Sequence, residues 1–347
     1  MRKVKFGIIG TGAIAKMHAE ALRLTDNAEL YIVYDKIPER AAAFAQKHNC
    51  RMVSSFDELL SSDVEAVTIA TPSGLHAEVA IPAARAGKHI LCEKPLEVTV
   101  SKTNDLVRAC ESSNVRLSAV FQSRFSHAVQ TIRKAVDAGR FGEPVLAAAS
   151  VRWYRNPEYY ASAGWRGTWA LDGGGALMNQ GIHTVDLLVY FNGDVSEVTG
   201  RIARLMHKSI EVEDTVVAML KFKNNSLGTI EASTACAPGF PRRVELSGTK
   251  GSVMLEDDRI IRWTFADERP EDEEIRRVCG LGEGQRGGSS DPSAISPEGH
   301  GRQISELAEA ILNGHGLTTP GAEGKRAVEL ICAVYESART GTTIKFL

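Results

Sequence analysis

The chain has 347 residues, 43% hydrophobic and 24% charged, with 41 Lys and Arg against 43 Asp and Glu for a formal net charge of −2. That length accommodates two domains, and that balance belongs to a globular protein able to bury a large core. The near-neutral charge, with no Lys/Arg block, argues against a nucleic-acid surface, and no apolar run approaches the roughly 18 residues of a membrane span.

Val4 to Ile9 reads as a buried strand and is too short for a signal-peptide core. Gly10-Thr11-Gly12-Ala13-Ile14-Ala15 follows directly, and a helix then runs to Leu24. This is G-x-G-x-x-A in the strand, turn and helix setting it requires. Gly10 permits the turn, Gly12 lets the backbone approach a pyrophosphate, and Ala15 lets helix and strand pack closely. The helix start offers its N–H groups and dipole to the anion. A second strand, Glu29 to Tyr34, ends in Asp35, 20 residues after Ala15. An acidic residue there holds the adenosine ribose hydroxyls. The competing reading of Asp35 is a turn or cap residue before Pro38. Lys36 and Arg40 would suit a 2′-phosphate, but Asp35 would repel one, so NAD is expected rather than NADP.

The alternation continues with helices over Ile37 to Lys47, Ser54 to Leu60, Leu75 to Ala86 and Val98 to Ser112. The strands between and after them are Val64 to Ala70, His89 to Cys92 and Val115 to Phe121. Such order predicts a doubly wound parallel sheet covered on both faces, with ligands at the carboxyl ends of its strands. Asp35, Thr71-Pro72, Glu93-Lys94-Pro95 and Gln122 all fall at such ends. His76, in the first turn after Thr71-Pro72, either touches a cofactor or decorates the helix. The first domain is expected over residues 1–122 and the second over 123–347, with the packing of the last helix back on the first domain left open.

After Phe121 the pattern changes. A helix over Gln130 to Ala138 precedes a strand-like run from Val145 to Tyr154 and an aromatic loop with Tyr159, Tyr160, Trp165, Arg166 and Trp169. Asp172-Gly173-Gly174-Gly175 leads into a helix expected from Gly174 to Phe191, on which Asn179 and His183 share a face. His183 admits three readings: a core histidine bonded to Asp186, a metal ligand with Asp186, or part of a catalytic face. Three glycines are costly in a helix and suit a backbone pressed against a flat ligand such as a nicotinamide ring. Six strands between Val198 and Trp263 predict an antiparallel or mixed sheet, with one face left for a partner subunit. Ala266 to Gly301 reads as an excursion, acidic first and then rich in Gly, Ser and Pro. Helices over His300 to Leu312 and Gly321 to Arg339 close the chain. The scattered cysteines (Cys50, Cys92, Cys110, Cys236, Cys279, Cys332) contain no CxxC pair, which predicts no metal knuckle and a reducing cytoplasm.

With Gly10-Thr11-Gly12, Glu93-Lys94-Pro95, the glycine-rich helix ending in His183 and Glu336-Ser337-Ala338-Arg339-Thr340-Gly341 in view, the chain resembles the glucose–fructose oxidoreductase, inositol dehydrogenase and rhizopine catabolism family over its whole length. The resemblance implies a Rossmann domain, a second α/β domain with a large open mixed sheet, a dinucleotide, a catalytic or orienting Lys94 and a cis Lys94–Pro95 peptide. Many relatives carry an aspartate where this chain has Asn179, which puts an Asp–His relay in doubt. The run from Trp165-Arg166 to His183 is similar to enzymes that oxidise C3 of UDP-N-acetylglucosaminuronic acid, and to neighbours acting on glycosides or inositols.

These readings assign Gly10, Gly12, Ala13, Ile14, Asp35, Thr71, Pro72, His76, Glu93, Lys94, Gln122 and Trp165 to the dinucleotide. Asn179, Arg166, Lys94 and Tyr154 are assigned to substrate, Lys94 and His183 to catalysis, and no residue to a metal. The expected reaction is hydride transfer between NAD and a secondary hydroxyl of a sugar, sugar nucleotide or cyclitol. An imidazole suits proton transfer at neutral pH, so His183 is expected as acid/base and Lys94 as the group that polarises the oxygen, with the exchange of these roles open. Rival readings are an oxidation–elimination glycosidase that recycles NAD, a dehydratase-like or reductase relative on the same fold, and a non-enzymatic nicotinamide sensor. A homodimer or homotetramer through the open sheet is expected, with no nucleic-acid or membrane partner.

Overall fold

The structure is a computed structural model that describes residues 2–281 and 296–346. It divides into two compact units, one of Met1–Gln122 with Pro297–Lys325 and one of Ser123–Ser296 with Arg326–Leu347.

In the first unit β1 (Val4–Ile9), α1 (Ala13–Arg23), β2 (Ala28–Tyr34), α2 (Pro38–His48), β3 (Arg51–Met52) and α3 (Phe56–Ser61) form one half. The other half is β4 (Ala66–Ile69), α4 (His76–Arg85), β5 (His89–Cys92), α5 (Val100–Ser112) and β6 (Leu117–Ala119). The strands pair in parallel in the order β3-β2-β1-β4-β5-β6, so chain direction through the sheet reverses beside β1. Ala66 to Ile69 is buried without a break, as a strand covered on both faces must be. Side-chain caps start two of these helices: Ser55 accepts from Glu58 N–H and Thr99 from Lys102 N–H.

The second unit opens with α6 (His127–Asp137), β7 (Pro144–Arg152) and α7 (Pro157–Ala161). A π-helical turn, Ala176–Gly181, then leads straight into α8 (Ile182–Asn192). The strands β8 (Val195–Ala203), β9 (Thr215–Phe222), β10 (Leu227–Ser233), β11 (Arg243–Gly248), β12 (Gly251–Glu256) and β13 (Arg259–Phe265) follow. Helix α9 (Pro270–Leu281) closes this stretch. Two further helices are α10 (Glu298–Asn313), which lies in the first unit, and α11 (Gly321–Thr340), within which the division between units falls. The short β14 (Ile344–Lys345) ends the fold. The sheet runs β13-β12-β11-β7-β10-β9-β8-β14, with β7 and β10 parallel and every other pair antiparallel.

Helix α8 packs on β7 and β11, and the inward positions beneath the helical layer are small or branched: Ala147, Ala149, Val216, Ala218, Ile230 and Val244. The alternate positions stay exposed although several are large and apolar. Leu146, Leu227, Val217 and Met219 are 51%, 57%, 53% and 63% accessible. The register sets Leu146 directly beside Leu227.

Three expectations need correction. The segment from Ala266 is not simply an excursion of the sheet. Pro270–Leu281 is a helix against β13, and within the acidic run Asp272 is fully buried, bonded to Arg140 (2.7 Å) and to the Trp263 indole (2.6 Å). The rest of that segment up to residue 295 lies outside the described residues. Residues 297–325 group with the first unit rather than with 123–347, because Ile304 and Leu307 of α10 pack into the core of Val4, Phe6 and Leu22. The helix expected from Gly174 is π-helical until Gly181, so Asn179 and His183 do not sit on one regular α-helical face.

Candidate active site

The first unit gathers its site residues at strand ends. Gly10 has φ +89°, and a Cβ there would lie 2.8 Å from the Ala70 carbonyl oxygen, so the turn after β1 requires glycine. Gly12 is the N-cap of α1; a Cβ on it would meet nothing within 4 Å, no side chain caps the helix, and its first turn holds no acidic residue. The start of α1 is thus open, uncapped and without a competing anion, which fits a pyrophosphate. Ala13 and Ile14 form that first turn. Asp35 combines both of its expected roles. Its Oδ2 accepts from the Thr11 N–H and hydroxyl at 2.8 Å each, and its Oδ1 accepts from Ile37 N–H at 2.9 Å. It therefore ties the glycine turn to the end of β2 while remaining partly accessible beside it.

Thr71 and Pro72 are half-buried in the loop after β4. His76 is buried, and its ring nitrogens face Pro95 O at 2.8 Å and Thr71 O at 3.0 Å. Burial pushes its pKa down, so its one N–H serves one of two carbonyls. His76 thereby links the Thr71 loop to the turn after β5. In that turn the Lys94–Pro95 peptide is cis and Lys94 is half-buried. Gln122, half-buried, ends this part of the unit.

Beneath Lys94 lies a cluster that sequence reasoning missed. Glu93 is buried; its Oε1 is 2.7 Å from His18 Nε2 of α1 and 3.8 Å from His300 Nε2 of α10, and its Oε2 accepts from Lys94 N–H at 3.1 Å. Three potential ligand atoms of these residues lie within 4.8 Å of one another. Burial pushes the Glu93 carboxyl up, but the His18 hydrogen bond and the pull of His18, His300 and Lys94 outweigh it and hold the group at about 2. Burial lowers His300 to about 4. The partners are 75 and more residues apart in sequence, so no local pattern announces them.

In the second unit a polar chain surrounds the π-helical turn. Asn179 donates to buried Asp172, whose other oxygen accepts Gly167 N–H at 2.8 Å. The Asn179 amide oxygen accepts from Gln180, which also donates to the Tyr159 hydroxyl at 2.8 Å. Buried Arg155 grips Gln180 Oε1 through two nitrogens, at 3.1 and 2.8 Å. Arg166 donates to the Tyr159 hydroxyl and lies 4.4 Å over its ring and 4.8 Å over that of Trp165. Two guanidinium groups thus share one tyrosine, a concentration of positive charge that fits an anionic substrate group. Tyr154, half-buried, bridges to Ala235.

His183 lies in the first turn of α8 and is half-buried. Both oxygens of Asp186 accept from Arg124, at 2.9 and 2.6 Å, in a fully buried ion pair. The glycine run also has a reason other than the expected one. A Cβ on Gly174 would collide with the Tyr335 hydroxyl, and one on Gly175 with the Glu213 carbonyl. The chain itself occupies the space the glycines leave.

The description "oxidoreductase family, NAD-binding Rossmann fold" matches residues 4–121, and "GFO/IDH/MocA C-terminal domain" matches residues 129–254. The WlbA dehydrogenase of Bordetella pertussis, solved in complex with NADH and UDP-GlcNAcA, is 34% identical with a TM-score of 0.89, covering 100% of this chain and 99% of that one. The inositol 2-dehydrogenase of Rhizobium meliloti is 30% identical over 74% of this chain and 77% of its own length. The 2,7-anhydro-N-acetylneuraminate hydratase of Escherichia coli is 30% identical over 73% of this chain and 68% of its own length.

Proposed function

The chain belongs to the GFO/IDH/MocA family of NAD-binding oxidoreductases, and from that premise we propose that it is a dehydrogenase acting on C3 of a pyranose that carries an anionic group, of the kind of UDP-N-acetylglucosaminuronate. The observation that carries this reading is the lysine-bearing turn after the carboxyl end of β5, in a parallel sheet whose strands β1 and β2 end at the uncapped start of α1 and at Asp35. Bound NAD supplies the hydride acceptor. Gly10, Gly12, Ala13 and Ile14 seat its pyrophosphate and Asp35 its ribose, while Thr71, Pro72, Glu93, Gln122 and Trp165 complete the contact. His76 acts by pinning Thr71 and Pro95.

Lys94 holds and polarises the reacting oxygen, and His183 takes its proton, because the hydroxyl proton must leave as the hydride does. Asn179 binds a neighbouring hydroxyl, and Tyr154 borders it. Arg166, with Arg155 behind the same tyrosine, receives the carboxylate or phosphate. A second reading, in which NAD is reduced and reoxidised in place with no net redox change, is favoured by the likeness to the hydratase. The open sheet face, with Leu146, Leu227, Val217 and Met219 exposed, suits a homodimer or homotetramer. The absence of a disulfide among the described residues suits the cytoplasm.

The test incubates purified protein with sugars, sugar nucleotides and inositols, following NADH absorbance and product masses together. Accumulating NADH supports the dehydrogenase; a mass change without NADH supports recycling. Lys94→Met and His183→Ala should each slow single-turnover hydride transfer by about 10²–10⁴-fold. Near-normal transfer in both variants overturns the assignment.

A further inference from the structure

A helix start leaves its first N–H groups without intrahelical partners, and buried ones must be satisfied elsewhere. At the π-helical turn Ala176–Gly181 two residues from distant parts of the chain meet that need. Gly175 N–H donates to Glu213 Oε2 at 3.0 Å, and Leu177 N–H to Glu213 Oε1 at 2.9 Å. Between them Ala176 N–H donates to the Glu213 main-chain oxygen at 3.2 Å. Met178 N–H donates to the Tyr335 hydroxyl at 3.1 Å, and that hydroxyl donates onward to Glu213 Oε1 at 2.9 Å. Four consecutive N–H groups thus end on one buried glutamate and one tyrosine.

We propose that Glu213 and Tyr335 are a positioning pair: they cap the widened turn and so fix where Asn179 and His183 stand. The proposal rests on the dehydrogenase reading and adds to it two residues that touch neither substrate nor cofactor. Three observations support it. Glycines at 174 and 175 are the condition for the grip, since a side chain on either would strike Tyr335 or Glu213. A carboxylate is the acceptor best suited to a helix start, where the dipole favours negative charge. And the capped segment is π-helical, a form that persists only where its surroundings hold it. If the cap is lost, the turn relaxes towards ordinary α geometry and the angle between residues 179 and 183 changes. The adjacent Asp214 has a separate task, accepting from Leu205, Met206 and His207 N–H at 2.8 Å each, so the two neighbouring carboxylates brace two different segments.

The test compares Glu213→Ala, Glu213→Gln and Tyr335→Phe with the wild-type protein, using NAD and the sugar substrate that the wild type oxidises. The expected result is a fall in kcat of at least tenfold in Glu213→Ala, with the KM for NAD within twofold and the melting temperature within about 5 °C. Glu213→Gln keeps an acceptor oxygen and should recover part of the loss; Tyr335→Phe, the mildest change, should lie between Gln and wild type. Amide exchange should quicken at Leu177 in Glu213→Ala and at Met178 in Tyr335→Phe, each variant freeing the N–H its side chain accepts. Unchanged kcat in Glu213→Ala overturns the proposal and leaves the dehydrogenase reading intact. So does a loss of kcat, NAD affinity and melting temperature in parallel, which marks a merely structural role. If Glu213→Ala does not fold, Tyr335→Phe decides: a lower kcat together with faster amide exchange at Met178 supports the proposal, and wild-type kcat overturns it. Absence of hydride transfer in the wild type removes the dehydrogenase reading itself.

Discussion

Glu93 and Glu213 are both buried carboxylates, one at the end of β5 in the first unit and one just before β9 in the second, and their surroundings drive them in opposite directions. Burial raises both. Around Glu93 stand ionisable groups, His18, His300 and Lys94, and their pull brings the carboxyl to about 2. The groups that bond the Glu213 side chain are dipoles, the Leu177 and Gly175 N–H groups and the Tyr335 hydroxyl, and burial pushes the carboxyl up to about 7. Hydrogen-bond count does not explain the contrast, because Glu213 accepts at least as many bonds as Glu93. What differs is whether a partner can carry charge.

The largest effect should come from removing His18, the imidazole bonded to Glu93. His18→Ala leaves Glu93 buried beside no hydrogen-bonding imidazole, and breaking such a pair costs about 3–5 kcal/mol. Tyr335→Phe removes one dipolar partner from Glu213 and should cost about 1–2 kcal/mol. Urea midpoints of the two variants measure the difference. Equal losses would break the comparison and show that the His18 contact is an ordinary hydrogen bond.

The next effect separates the carboxylates by pH. Each displacement is worth about 3 kcal/mol, with opposite sign. Glu93, lowered from 4.5 to about 2, contributes stability that is present above pH 4.5 and lost as pH falls through 2. Glu213, raised from 4.5 to about 7, contributes stability that is present below pH 4.5 and lost as pH rises through 7. His300, lowered from 6.5 to about 4, opposes Glu213 in that window, since its contribution is lost as pH falls from 6.5 to 4. Relative to wild type, Glu213→Gln should therefore lose stability on acidification from pH 7 to 4.5, and His300→Asn should gain it. Melting temperatures across that range check both signs, and parallel curves for the two variants would sink the account.

Much of this was legible in the sequence where the cause is local. The strand, glycine turn and helix around Gly10, the bond of Asp35 to Ile37 N–H, the lysine turn at Glu93-Lys94-Pro95 and the alternation of the first sheet each show in residues a few positions apart. The acidic stretch after Ala266 misled because charge suggested solvent, yet Pro270 followed by Glu271, Asp272 and Glu273 is also the composition of a helix start. The three glycines suggest a backbone pressed against a flat ligand, but Gly174 has Tyr335 as its neighbour and Gly175 has Glu213, 161 and 38 residues away in the chain, beyond any local pattern. His18, Arg124 and His300 escaped for the same reason: each matters through a partner on another element.

The smallest effect tests a third kind of partner, a like charge. Asn179 donates to the buried Asp172 carboxylate, and its own amide oxygen accepts from Gln180. The carboxylate that the family resemblance leads one to expect at position 179 is here one hydrogen bond away, on Asp172. Asn179→Asp removes the donor and sets carboxylate against carboxylate, so one of the pair must hold a proton and titrate at raised pH. A raised carboxyl contributes stability that is present below its unfolded pKa, about 3.9 for an aspartate, and lost as pH rises through its folded value. The variant should come nearest to wild type at pH 4 and fall about 1–2 kcal/mol below it at pH 8, less than at Glu213 because residue 179 is half-buried and partly screened. If thermal melts at the two pH values differ from wild type by the same amount, the aspartate has swung away from Asp172. A carboxylate at this position would then stand apart from the Asp172 network, and the asparagine would be needed to hold that network closed.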